Sequence, residues 1–235
     1  MRLQVFLSHS GTCSRRAAVN LIRTGRVSVN KQPIYEASYA VDPDKDRIFL
    51  DGRSISLKKK VYILFNKPKG VVTTRQDKHA KVTVYEHIPK DLYYLYPVGR
   101  LDKDSQGLLI FTNDGEFAHR LMHPRFGVKK KYLLRIDQDL SNKDKSALEK
   151  GIILDSKRTS CADIVLKDRR NLTISIHEGK KRQIRRMFSH LGYNVVFLKR
   201  VSYGVLKLGS LPEARWRNLT KKETDALFRC VGMAV

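Results

Sequence analysis

The chain has 235 residues, 41% of them apolar, enough for one large packed core or two smaller ones. Its 47 Lys and Arg against 23 Asp and Glu leave a formal net charge of +24, far beyond what solubility needs, so a polyanionic partner is expected. There is no long apolar span, and no leader peptide or membrane anchor is expected, which makes nucleic acid the expected polyanion rather than a membrane surface. Cys13, Cys161 and Cys230 lie far apart and form no C-x-x-C pair. That pattern predicts a reduced, cytoplasmic chain without a disulfide framework or zinc site.

In chain order, residues 1–57 read as a small α+β unit. Leu3, Phe6 and Leu7 follow helical spacing, and Gly11 suits the stop. TCSRRAAVNLIRTGRV opens a second helix. Thr12 or Ser14 can cap it, Ala17, Ala18, Leu21 and Ile22 form its apolar face, and Gly25 ends it. Arg15, Arg16, Arg23 and Arg26 are left for the outer side, where they are expected to meet the polyanion. VSVNKQPI predicts a hairpin turning at Asn30 and Lys31, and short strands follow near 47–50 and 54–57. The basic run 58–60 reads as a linker. The first 60 residues and the remainder are both strongly basic, so both parts are expected to touch the same polyanion.

Residues 61–235 change pattern. VYILFN reads as a buried strand, followed by a KPKG turn. Further strands are predicted at 108–112, 132–136, 162–166, 172–177 and 195–200. Helices are predicted at 115–122, 142–150, 180–191 and 221–231, the last opened by a capping box of Thr220 and Glu223. Strands outnumber helices and the turns are short, which predicts one α+β domain on a largely antiparallel, mixed sheet.

Chemistry centres on VGRLDKDSQGLLIFTND. Asp102 stands where a loop enters a buried strand, a costly place for a carboxylate unless it is paired or hydrogen-bonded. A turn-capping Asp is the ordinary explanation. A second cluster, EGKKRQIRRM, supplies cations: on a helix from Lys180, Lys181 and Arg185 are four apart, as are Arg182 and Arg186. Ile184, Met187, Phe188 and Leu191 form the apolar face, and Arg185 beside it could turn inward to pair with Asp102. A basic helix facing the nucleic acid is the other reading, and the two are compatible on different faces. His119 and His123, four apart without a third ligand, suit a cap better than a metal.

The phrase RLQVFLSHSGTCSRRAAVNLIRTGRVSVN resembles the S4 RNA-binding module, with Val5 where a basic residue is usual. NKPKG, GRLDKDSQGLLIFTNDG, KKYLL, HEGKKRQIRRMF, LKRVSYGVLKLGSL and RWRNLT, in that order, resemble the RsuA/RluB-like branch of the pseudouridine synthases. The resemblance covers nearly the whole chain. It implies isomerisation of a uridine in RNA to pseudouridine, with no cofactor and no metal. It implies that Asp102 is the essential acid, that Tyr132 stacks on the target base, and that Arg185 pairs with the acid. It further implies that Arg100 fills the space left by the flipped uridine. Leu208 is expected to wall the pocket, with Leu206 as its neighbour, and Lys67 to sit at the substrate side in a largely structural motif. Lys181, Arg182 and Arg186 are expected to hold RNA. Ser105 and Gln106 replace the family's usual Thr and Glu.

Ribosomal RNA, naked or in a partly assembled subunit, is the expected substrate, with 23S preferred over 16S and a monomeric enzyme. The competing readings are a non-enzymatic S4-type ribosome-associated or assembly protein, a synthase that has lost activity, and a metal-dependent nuclease using Asp102 and Asp104.

Overall fold

The computed structural model describes residues 1–75 and 82–234, which separate into two compact units. The first holds Met1–Val61 together with Lys90–Tyr96 and Thr112–Gly115. Helix α1 (Leu3–His9) and helix α2 (Arg15–Arg23) pack over a four-stranded sheet of β1 (Val27–Val29), β2 (Gln32–Pro33), β3 (Ile48–Leu50) and β4 (Arg53–Ile55), in the order β2-β1-β3-β4. Leu3, Phe6, Leu7, Ala18, Ile22, Val27, Val29, Val41 and Ile48 form its core. Each Val, Leu, Ile or Phe among them contributes roughly 1.5–3 kcal/mol on burial. Ser14, not Thr12, caps α2, its Oγ accepting from Ala17 N–H at 3.2 Å. Ala17 is exposed and takes no part in the apolar face. The hairpin turns at Asn30 and Lys31, both with positive φ, as a two-residue primed turn requires. The lysine run expected to be a linker is tied down: Lys60 Nζ lies 2.8 Å from the buried Asp114 carboxylate, and Asn113 Nδ2 donates to Lys59 O.

The second unit is built on a nine-stranded mixed sheet. Its strands are β5 (Tyr62–Lys67), β6 (Tyr96–Pro97), β7 (Gln106–Thr112), β8 (Lys130–Ile136), β11 (Asp163–Leu166), β12 (Asn171–Ile176), β13 (Val195–Tyr203), β14 (Leu206–Lys207) and β15 (Trp216–Asn218). A separate pair, β9 (Ile153–Leu154) and β10 (Lys157–Arg158), precedes β11. The main order is β11-β12-β8-β13-β7-β5-β15, with β14 on β13 and β6 on β7. Most pairings are antiparallel, but β7 runs parallel to β13, with Gly107 opposite Arg200. Central β5 and β7 read as unbroken apolar runs because both faces are covered: Ile63, Leu64, Phe65 and Leu108 to Phe111 are fully buried. Strand β8 alternates, burying Lys130, Tyr132, Leu134 and Ile136 and exposing Lys131, Leu133 and Arg135.

The helices are α3 (Gly115–Met122), α4 (Asn142–Lys150), α5 (Gln183–His190) and α6 (Lys221–Cys230), and the Thr220–Glu223 capping box opens α6 as expected. Two expectations need correction. Helix α5 starts at Gln183 rather than Lys180, because Arg182 turns left-handed at φ 51° and ends the preceding loop. Strand β13 runs to Tyr203, past the expected end at Arg200, since register shifts near Phe197 and Ser202 break the simple alternation. No helix among the described residues is long and apolar enough to cross a membrane.

Candidate active site

The site grows from the loop that leads into β7. Val98 N–H donates to Ile110 O at 2.8 Å, after which the chain leaves the sheet until Gln106. Three ties set the path of that loop. The Thr73 hydroxyl donates to Leu101 O at 2.8 Å and accepts from Leu101 N–H at 3.3 Å. Gly70 N–H donates to Lys103 O at 2.8 Å. Lys67 Nζ, on a fully buried side chain, donates to Ser105 O at 2.8 Å and Pro68 O at 2.9 Å, with Lys103 O at 3.5 Å. Burial lowers the Lys67 pKa to about 8, against the opposing pull of Asp102, Asp104 and Glu213. Lys67 does not line the cleft. The expected substrate contact is instead a clamp on the loop that carries Asp102.

Asp102 is half-buried on the wall of a cleft of about 790 Å³. Tyr132 lines the same cleft with 7% of its surface exposed, because alternation on β8 turns it to the buried side. Arg185 reaches it from α5, Arg100 from the Asp102 loop, and Lys181 and Arg182 from the left-handed turn before α5. The apolar wall is Val98, Leu101, Ile176, Ile184 and Leu198. Leu208 is buried elsewhere: its N–H returns to Val201 O as the chain leaves β14, so it does not supply that wall.

The expected Asp102–Arg185 ion pair is not made. The Arg185 terminal nitrogens donate to Val195 O at 2.6 Å and to Asp104 O at 2.9 Å, and its Nε is buried without a partner among the described residues. Arg182 reaches the Asp104 carboxylate at 3.4 Å. The basic cluster therefore grips the loop through Asp104, the residue expected to be a mere loop acid. Burial lowers the Arg185 pKa, Arg182 lowers it further, and Asp104 and Asp102 oppose both. Arg185 braces the loop that carries Asp102 through its bond to Asp104 O.

The expected RNA-binding side chains divide. Arg15, Arg16 and Arg23 are exposed on α2. Arg26 is engaged with Asp51 by two hydrogen bonds, and Arg186 pairs with Asp155. The His119 and His123 rings lie tilted at 47° with centroids 5.2 Å apart, and His123 Nδ1 accepts from Arg125 N–H, a cap as expected.

Sequence reasoning left Lys130, Glu178, Gln183, Arg200 and Tyr203 without roles, yet all line the cleft. Glu178 accepts from Ser160 N–H at 2.8 Å and from Gln183 Nε2. Burial pushes its pKa up, but these bonds and Lys180 outweigh burial and hold it below the usual value. Lys130 was recoverable from the sequence, since it sits two residues before Tyr132 on a strand. Arg200 was not, because its inward aim depends on the partner strands of β13.

Comparison with known proteins agrees with this geometry. The family model for RNA pseudouridylate synthase matches residues 61–190, and the model for the S4 domain matches residues 1–48. Ribosomal large subunit pseudouridine synthase B of Bacillus subtilis (strain 168) is 37% identical over 96% of this chain and 95% of its own length. An RNA pseudouridine synthase of Aquifex aeolicus (strain VF5) is 36% identical over 99% of this chain and 96% of its own. A solved pseudouridylate synthase crystal structure superposes with a TM-score of 0.72 at 30% identity, covering 97% of this chain and 99% of that one. With motifs, sheet and cleft in agreement over nearly its full length, the chain belongs to the RNA pseudouridylate synthases and carries an S4 domain in front.

Proposed function

We propose that this enzyme isomerises a specific uridine of ribosomal RNA, in the large subunit, with Asp102 as the essential acid. The observation that carries the reading is the single cleft that gathers Asp102, Tyr132 and Arg185 behind a rim of Arg100, Lys181 and Arg182. The similarity to a ribosomal large subunit synthase of Bacillus subtilis supports the choice of RNA. Residues 1–57 act as the S4-type RNA-binding domain and residues 61–235 as the catalytic domain, and the enzyme works as a cytoplasmic monomer.

A uridine inside paired RNA cannot reach Asp102, so it must flip out, at a cost of roughly a few kcal/mol. Stacking on Tyr132 returns about 1–3 kcal/mol, and the exposed arginines and lysines hold the backbone. Arg100 occupies the gap left in the RNA. Covalent use of an aspartate is ordinary chemistry, and the loop clamp keeps Asp102 aimed while the glycosidic bond breaks. Lys67 and Thr73 serve as positioning residues.

The test is tritium release from 23S and 16S transcripts labelled at uridine C5. Release by the wild type and not by Asp102→Asn, with RNA binding kept, is the expected result. Release by the variant would sink the assignment, and release from 16S alone would move the target to the small subunit.

A further inference from the structure

The buried end of the cleft is cationic, and nothing in the proposed roles uses that charge. Arg200 is 3% exposed and Lys130 is 7% exposed, and both line the cleft. Arg200 Nε donates to Leu108 O at 2.7 Å, while its Nη2 is buried without a partner among the described residues. Lys130 Nζ makes one long bond, to His177 O at 3.3 Å. Both cations lie over the ring of Tyr203, 5.1 Å and 5.2 Å from its centroid, and the Tyr203 hydroxyl is spent on Leu121 O. No carboxylate pairs with either cation among the described residues, although Glu178 is near enough to act on Lys130. Burying two cations side by side with no carboxylate in direct contact is unfavourable, so an anion is expected to visit them.

Position narrows the class of anion. Arg200 stands directly opposite Tyr132 in the register of β13 and β8, where paired residues have Cβ atoms roughly 4.5–5.5 Å apart. A base stacked on Tyr132 therefore lies beside Arg200. The exposed Lys181 and Arg182 suit backbone phosphates, whereas a buried pair next to an aromatic suits a flat ring. The parallel neighbour of Arg200 is Gly107, where an added Cβ would come within 2.2 Å of Arg200 O. That close approach holds Arg200 against the strand that continues from the Asp102 loop.

We propose that Arg200, backed by Lys130, is an anion hole for the uracil ring while it is detached from its ribose. The inference rests on the pseudouridine synthase reading. In that reaction the C1′–N1 bond breaks and its electron pair stays on the ring, which becomes uracilate. The C1′–C5 bond then forms, the C5 proton leaves and N1 takes up a proton. Arg200 and Lys130 donate hydrogen bonds to the ring oxygens while the charge is there and transfer no proton, so the step balances without them. Preorganised donors of this kind act where charge develops.

Barbiturate, a pyrimidine that is an anion at neutral pH, mimics uracilate, and uracil supplies the neutral ring. Calorimetric titration of both into the full-length protein at pH 7 tests the site. The wild type is expected to prefer barbiturate by at least about tenfold, Arg200→Met to lose that preference, and Arg200→Lys to keep part of it. In single-turnover tritium release, Arg200→Met is expected to slow the chemical step roughly 100-fold with RNA affinity unchanged. Equal affinity for the two bases, no measurable barbiturate binding, or an unaltered preference in a folded Arg200→Met protein would each overturn the proposal. Barbiturate preference in a wild type that releases no tritium would instead leave the anion hole standing and refute the isomerase reading.

Discussion

Replacing Lys67 by Met removes the ammonium that holds the Asp102 loop while keeping most of the side-chain volume. In the wild type that ammonium donates to Ser105 O and Pro68 O at 2.8 and 2.9 Å. Its pKa falls from 10.5 to about 8, chiefly through burial. The unfolded chain therefore holds a proton that the folded chain has lost between about pH 8 and 10.5, so stability rises with pH across that window. At about 1.4 kcal/mol per pH unit, the rise due to Lys67 is on the order of 3 kcal/mol. Lys130, also lowered to about 8 by burial, adds a rise of the same sign. Cys13, raised by burial from 9.0, opposes it above pH 9, and Tyr203 and Tyr96, also raised by burial, oppose it above pH 10, so the clean interval is pH 8 to 9. Urea melts across that interval are expected to show the Lys67→Met slope reduced to about half that of the wild type. The freed loop misplaces Asp102, and kcat at pH 7 is expected to fall roughly 10- to 100-fold. A variant with the wild-type pH slope, or with wild-type kcat, would refute the clamp.

Gly107→Ala forces a side chain onto a φ of +104° and into Arg200 O, so a loss of about 3 kcal/mol or more is expected in the urea midpoint. Wild-type stability there would contradict the β7–β13 register. Arg185→Met frees the carbonyls of Val195 and Asp104 and is expected to lower kcat about 100-fold with little change in RNA affinity. Equal losses in both would mark Arg185 as a phosphate contact. Glu223 forms a two-pronged pair with Arg217 that holds its pKa near 2, helped by the Thr220 N–H. Glu223→Gln is expected to cost about 1–2 kcal/mol at pH 7 after solvent screening. Because a depressed carboxylate stabilises above its unfolded pKa, the difference in melting temperature should vanish as pH falls from 4.5 toward 2.

Local pattern carried most of what the sequence determines here. Apolar runs such as VYILFN and LLIF mark strands buried on both faces, and the alternation of KKYLLRI places Tyr132 inward. The caps at Ser14 and Thr220 are legible because a hydroxyl must meet an N–H two or three residues ahead. The motifs likewise identify the family. These features depend on neighbours within a few residues.

Contacts between distant segments were decided only by the tertiary structure. Spacing on a single helix suggested that Arg185 meets Asp102, but Arg185 is spent on the carbonyls of Val195 and Asp104 from two other segments. Lys67 gains its clamp role from Ser105, 38 residues away. Leu208 follows a two-residue strand that folds back onto β13, so it leaves the cleft. The inward aim of Arg200 arises from Tyr132 and Gly107 on two flanking strands. A side chain's polarity and period are written locally. Its partner is chosen by how the strands are laid side by side, and for Arg185, Lys67 and Arg200 that choice sets the electrostatics of the site.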